Sequence, residues 1–188
     1  MSSEFKQDEI ADKFLKGKRN GFFVDIGASY HDKWNNSYFF EKERDYRGIA
    51  VELNTDFVAP WVEHRPNTVM YNDDATTLDY RKILADNNAP DFIDFLSIDI
   101  DPNTATWESL LKVMDTKYTF GVIAVEVDHG GDLYNDPERF SVRDPSRAYL
   151  VLRGYVLAAE IHANGGAYHV DDIWVHKSIY DYEVDKSI

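Results

Sequence analysis

The sequence predicts a doubly wound α/β three-layer sandwich: a mostly parallel sheet between two layers of helices, ending in a C-terminal antiparallel hairpin. Three observations predict it. Short apolar runs of strand length alternate with helical stretches from residue 21 onward. The strands are apolar nearly throughout, as in a sheet covered on both faces. No helix separates the last two strands, and right-handed crossovers leave three layers as the economical topology for the rest.

Residues 1–20 read as an N-terminal helical extension with Phe5, Ile10, Phe14 and Leu15 as its large apolar positions, and 21–188 as a single domain. Gly21-Phe22-Phe23-Val24-Asp25-Ile26-Gly27 is a buried strand interrupted by one acid and closed by a turn signal. Asn35 or Asn36 can cap a helix carrying Tyr38, Phe39 and Phe40, and Gly48 stops it before the strand at 49–53. The pattern continues with a helix near 55–64, a strand near 68–71, a helix near 80–87 and a strand at 92–98. Trp107, Leu110, Leu111 and Met114 recur at helical spacing, and 120–127 is the next buried strand. Pro145 suits the first turn of a helix that Gly154 ends, and strands at 155–161 and 173–176 flank Gly165-Gly166. Between the strand at 120–127 and the helix at Pro145, 128–144 is the one long irregular stretch, and loops of that length are usually functional or disordered.

With 188 residues the chain has room for one ordinary domain. A net charge of −14 repels phosphate backbones and anionic lipid, so neither nucleic acid nor membrane is expected as a partner. There is no cysteine, which excludes disulfides and thiolate chemistry and leaves only oxygen and imidazole as metal ligands. No signal-peptide core or membrane-length apolar run is present, and a cytoplasmic protein is expected.

Ligands of open α/β sheets sit outside the carboxyl ends of the strands, and here those ends are acidic. Asp25 closes the first strand and Glu52 the second; Asp73 and Asp74 follow the third, Asp99 and Asp101 the fourth, Glu126 and Asp128 the fifth. Such a rim disfavours phosphate and suits hydroxyls, an amine or a sulfonium. After Gly27 the first turn has no further glycine to let a pyrophosphate approach, which argues against a dinucleotide. Glu52, 27 positions after Asp25, stands where a carboxylate accepts from both ribose hydroxyls of a nucleoside.

Four segments then carry a resemblance: Phe23-Val24-Asp25-Ile26-Gly27-Ala28, Asn36-Ser37-Tyr38-Phe39-Phe40-Glu41-Lys42-Glu43, Arg47-Gly48-Ile49-Ala50-Val51-Glu52-Leu53-Asn54, and Asp91-Phe92-Ile93-Asp94-Phe95-Leu96-Ser97-Ile98-Asp99-Ile100-Asp101. In this order they resemble the class I S-adenosylmethionine-dependent methyltransferases, and within them the FkbM-type family. The resemblance implies a Rossmann-like methyltransferase fold with a seven-stranded sheet, and S-adenosylmethionine as cofactor. It assigns Asp25, Gly27 and Ala28 to the methionine end, Asn36 and Ser37 to the cofactor carboxylate, Glu52 to the ribose, and Asp73, Asp74 and Ala75 to the adenine edge, with Ser29, Asn54 and Asp99 as further cofactor-binding residues. The sequence departs from the family at Tyr30-His31, where many relatives carry a further glycine.

The implied reaction is methyl transfer to oxygen, on a hydroxyl of a small-molecule or saccharide acceptor, and the attacking hydroxyl must lose a proton. Asp99 and His129 are the candidate catalytic residues near the expected methyl position. Two alternatives stay open for the proton: a hard cation such as Mg²⁺ on Asp99, Asp101, Glu126 and Asp128, as in metal-dependent sugar O-methyltransferases among the relatives, or His129 as a metal-free base. Two other functions also stay open, a nicotinamide-dependent oxidoreductase and a non-catalytic nucleoside-binding module of the same fold. Tyr30 and Trp34 read as staples of the first loop. His162, His169 and His176, on or beside the hairpin, receive no role.

Overall fold

The structure, a computed structural model, describes residues 3–130, 141–166 and 168–188. Its elements are α1 (Gln7–Phe14), β1 (Phe22–Ile26), α2 (Tyr38–Arg44), β2 (Arg47–Val51), α3 (Val58–His64), β3 (Thr68–Tyr71), α4 (Tyr80–Asp86), β4 (Phe92–Ile98), α5 (Asn103–Met114), β5 (Thr119–Gly130), α6 (Arg143–Leu152), β6 (Tyr155–Ala163), β7 (Tyr168–His176) and α7 (Tyr182–Asp185). Seven strands form one sheet in the order β3-β2-β1-β4-β5-β7-β6. The first five run parallel and β7 is antiparallel to both neighbours, as the sequence predicts.

The period-2 alternation of β1 sorts its side chains between two cores. Phe22, Val24 and Ile26 join Ile83 and Leu84 of α4 and Leu110 and Val113 of α5. Phe23 joins Ala11 and Phe14 of α1 and Phe40 of α2, together with Phe95 of β4 and Val122 of β5. The N-terminal helix therefore shares the domain core. Asp25 has the parity of Phe23 and faces the α2 side, where it is buried. Asp94, an acid inside β4, is satisfied there: Lys18 Nζ donates to it at 2.6 Å and the Phe22 N–H at 3.0 Å.

The structure differs from the sequence reading at the C-terminal half. β5 extends to Gly130 and β7 starts at Tyr168, so Asp128 and His129 lie in a strand and not in the irregular stretch. A register shift between Glu126 and His129 absorbs the polar residues, after which His129 pairs with His169 and Gly130 with Tyr168. Antiparallel pairing satisfies the backbone there and overrides the loop-like composition. Residues 131–140 of the predicted irregular stretch lie outside the described residues. α2 begins at Tyr38 with Ser37 as its N-cap, later than Asn35 or Asn36, because Asn35 and Ser37 turn their side chains to Asp25.

Phe95 is fully buried with its ring 4.8 Å from that of Phe40. Phe95→Ala is expected to cost about 3–5 kcal/mol in urea unfolding, the transfer and cavity penalty of a deleted core aromatic.

Candidate functional site

A cavity of about 880 Å³ opens at the carboxyl ends of β1 to β4. It gathers most of the residues singled out by sequence. Asp25, Gly27, Ala28, Ser29 and Asn36 line it from the β1 side, Glu52 and Asn54 from β2, Asp73, Asp74 and Ala75 from β3, and Asp99 and Asp101 from β4. Among the described residues no lysine or arginine lines it, and its carboxylates give it a negative field.

The floor is built by side chains gripping the first loop. Gly27 has φ +81°, and a Cβ there would lie 1.8 Å from the Asp99 carbonyl oxygen, so only glycine lets the loops after β1 and β4 approach this closely. Beyond it the loop holds its shape without further glycine, Ser29 itself standing at φ +48°. The Ser29 N–H donates to Glu52 Oε2 at 2.8 Å and its carbonyl accepts from Trp61 Nε1 at 2.8 Å. The Ala28 carbonyl accepts from Asn35 Nδ2 at 3.0 Å, and the His31 carbonyl from Arg65 Nη1 at 2.8 Å. Tyr30 packs edge-on against Phe57 and Trp34, a partly apolar wall of the cavity.

Ser37 does not line the cavity. It sits behind Asp25, its hydroxyl donating to Oδ2 at 2.6 Å, while Asn35 Nδ2 donates to the same oxygen at 3.0 Å. Burial pushes the Asp25 carboxyl up to about 6, against the lowering effects of Ser37, Arg65 and Asn35. Asn36 turns instead to Ser97 Oγ at 3.0 Å. Glu52 accepts one backbone N–H on each oxygen, from Ser29 and from Asn54 at 2.7 Å, which leaves lone pairs for a ligand. Asp74 accepts from the Thr76 N–H and hydroxyl, and those bonds hold it below the ordinary carboxylate range.

Sequence reasoning missed the hub of this arrangement. Arg65 is fully buried and its guanidinium stacks 4.2 Å from the Trp61 ring centre. It donates to Glu41 Oε2 at 2.7 Å, to Ser37 Oγ at 3.0 Å and to Asn35 Oδ1 at 3.2 Å, as well as to the His31 carbonyl. Arg65 carries no motif signal, and Glu41 falls within the second resemblance segment without a role assigned to it; the abundance of partners in three dimensions identifies the pair.

Glu126 and Asp128 stand off the cavity lining, next to Asp99. Glu126 follows Val122 and Ala124 onto the α1-facing side of β5, where it hydrogen-bonds Asp99, and its Oε2 is buried without a partner among the described residues. Burial, then the charges of Asp99 and Asp128, push Glu126 up to about 11. Asp99 is raised as well, first by burial. Asp171 of β7 completes the group: burial, then the Asp99 charge, lifts it to about 7 although Gln7 Nε2 donates to it at 2.7 Å. With no cation these acids share protons. As a metal set the four predicted carboxylates are loosely spaced, for among the described residues the one trio with ligand atoms within 4.8 Å of one another is Glu160, His162 and His169. The His129 side chain lies outside the described residues.

No protein-family model and no curated protein matches the chain. Solved structures do. M. capricolum TrmK, in complex with S-adenosylhomocysteine, superposes with a TM-score of 0.58 over 94% of this chain and 70% of that one at 13% identity. A TehB-like SAM-dependent methyltransferase from Corynebacterium glutamicum gives 0.54 over 93% and 89% at 9% identity. The Burkholderia thailandensis 1,6-didemethyltoxoflavin-N1-methyltransferase, solved with 1,6-didemethyltoxoflavin and S-adenosylhomocysteine, gives 0.54 over 90% and 76% at 13% identity.

Two outcomes are expected from this geometry. Glu41→Gln, which leaves the buried Arg65 without its countercharge, should cost about 3–5 kcal/mol in denaturant unfolding. Because folded Glu126 binds a proton that the unfolded chain releases above the ordinary glutamate range, it withdraws stability as pH rises from about 4.5 toward 11. Glu126→Gln should therefore raise the melting temperature of the metal-free protein, by more at pH 8 than at pH 5; an equal shift at both would contradict the assignment. The fold these comparisons identify is the Rossmann-like fold found in S-adenosylmethionine-dependent methyltransferases.

Proposed function

We propose that the protein is an S-adenosylmethionine-dependent methyltransferase that methylates a hydroxyl of a small-molecule or saccharide acceptor. One observation carries the reading: a cavity at the strand ends, walled by carboxylates and with no lysine or arginine among its described lining residues, matches a cationic sulfonium nucleoside and opposes phosphorylated cofactors. The fold, and the product cofactor held by two of the similar structures, support it. The narrower FkbM-type assignment belongs to this proposal and rests on the ordered motifs.

In this reading Glu52 accepts from the ribose hydroxyls with the lone pairs its two backbone donors leave free. Asp74 and Ala75 meet the adenine edge, and Asp25, Gly27 and Ala28 hold the methionine end. S-adenosylmethionine supplies an electrophilic methyl group on sulfonium. Asp99, on the cavity lining, takes up the acceptor's proton directly, or would help to hold a Mg²⁺ ion that would supply acidification of the hydroxyl. The Glu126 Oε2, without a partner among the described residues, and the all-oxygen donors Asp99 and Asp128 would suit such a cation once Glu126 ionises. His129 stays in the proposal as the metal-free alternative base.

Calorimetry tests the first half. S-adenosylmethionine and S-adenosylhomocysteine should bind while NAD does not, and Glu52→Gln should weaken binding about tenfold or more, roughly 1.4 kcal/mol. No binding at millimolar cofactor, or tighter binding of NAD, refutes the reading. For the second half, Asp99→Asn should spare cofactor affinity but depress turnover at least about a hundredfold. Loss of turnover in EDTA and its recovery with Mg²⁺ would select the cation over His129.

A further inference from the structure

A second polar cluster lies on the opposite face of the hairpin from Asp171, in a place the methyl-transfer reading does not use. Glu160 and His162 project from the same face of the edge strand β6, and His169 faces them from β7, opposite His162 in the register. The bulge between Ile161 and His162 brings the two imidazoles into a stack, ring centres 4.7 Å apart and 21° from parallel. Glu160 Oε2 lies 3.4 Å from His162 Nε2.

The surroundings orient these groups as metal ligands are usually oriented. His169 Nε2 faces two acceptors, Asp172 Oδ1 at 2.9 Å and the Asp171 carbonyl at 3.0 Å, so that nitrogen carries the proton and Nδ1 keeps its lone pair. Asp172 is fully buried and clamped by Arg147, Nε to Oδ2 and Nη2 to Oδ1, both at 2.7 Å. Arg147 also holds Glu160 Oε1 at 2.9 Å, which leaves Oε2 for a ligand. One ligand atom from each of Glu160, His162 and His169 lies within 4.8 Å of the other two. Two ligands about 2.1 Å from one ion can stand up to about 4.2 Å apart, so small rotamer changes close the set.

We propose that Glu160, His162 and His169 bind a divalent transition-metal ion, with Zn²⁺ the best match to two imidazoles and a carboxylate. Asp172 is the outer carboxylate that fixes the His169 ring. Glu160 and His162 are partly exposed, so solvent water completes the coordination, and the ion ties β6 to β7 where the bulge interrupts their ladder. Imidazole donors separate this site from the all-oxygen group around Asp99, which favours a hard cation.

The full chain, stripped with chelator and returned to buffer with millimolar Mg²⁺ to occupy carboxylate sites, is titrated calorimetrically with ZnCl₂. One ion per chain should bind and raise the melting temperature. His162→Ala, at an exposed position, should weaken binding more than about tenfold, as should Glu160→Gln, with folding unaffected by circular dichroism. Asp99→Asn should leave Zn²⁺ affinity unchanged. Co²⁺ should give visible d–d absorption that His162→Ala abolishes. Absence of Zn²⁺ binding, affinity unaltered in His162→Ala and Glu160→Gln, or affinity lost in Asp99→Asn would each overturn the proposal.

Discussion

The candidate site depends on one buried cation. The Arg65 guanidinium reaches Glu41 behind it and the Ser37, Asn35 and His31 groups that shape the loop after β1. Burying an ion pair costs desolvation that Coulomb attraction offsets only with good geometry, and here every arm of the guanidinium has an acceptor. Ser37 and Asn35 in turn hold Asp25, so a charge remote from the cavity surface sets the orientation of the acid at its floor. The loop lacks the glycines usual in such turns, and these side-chain bonds to its carbonyls supply the constraint that backbone freedom would otherwise provide.

The second physical theme is concentration of negative charge. Asp25 and Asp171 are buried, Glu126 is half-buried and Asp99 lines the cavity, and all four are raised, loss of solvation being the leading cause in each. A domain with this arrangement stores protons at neutral pH and gains from any cation that enters. Holding these carboxyls protonated costs stability, an arrangement common where titratable groups cluster at functional sites. In the proposed reading this field suits a sulfonium nucleoside and opposes a dinucleotide, so discrimination would come from the charge of the cavity as much as from its shape.

β7 links the two polar regions of the C-terminal half. Its alternation sends Asp171 toward α1 and the acids near Asp99, and Asp172 toward α6, Arg147 and His169. Adjacent residues on one strand thus serve opposite faces, and neither acid is exposed.

The local code of the sequence determined the order of strands and helices, the parallel sheet with its final hairpin, and the acids at the strand ends, because period-2 runs, helical stripes and glycine turns are short-range signals. Gly27, Glu52 and Asp74 were legible for the same reason: a residue at the end of a strand faces the cleft whatever the rest of the chain does. Tertiary structure alone decided the role of Arg65, which follows a helix with no motif, and the turn of Ser37 behind Asp25 rather than into the cavity. It also converted the composition-based loop at Asp128 and His129 into a bulged strand by offering β7 as a partner. Glu160, His162 and His169 meet for the same kind of reason: strand register and a bulge bring together side chains from two strands, and no spacing along a single chain encodes which residues will face each other across a ladder.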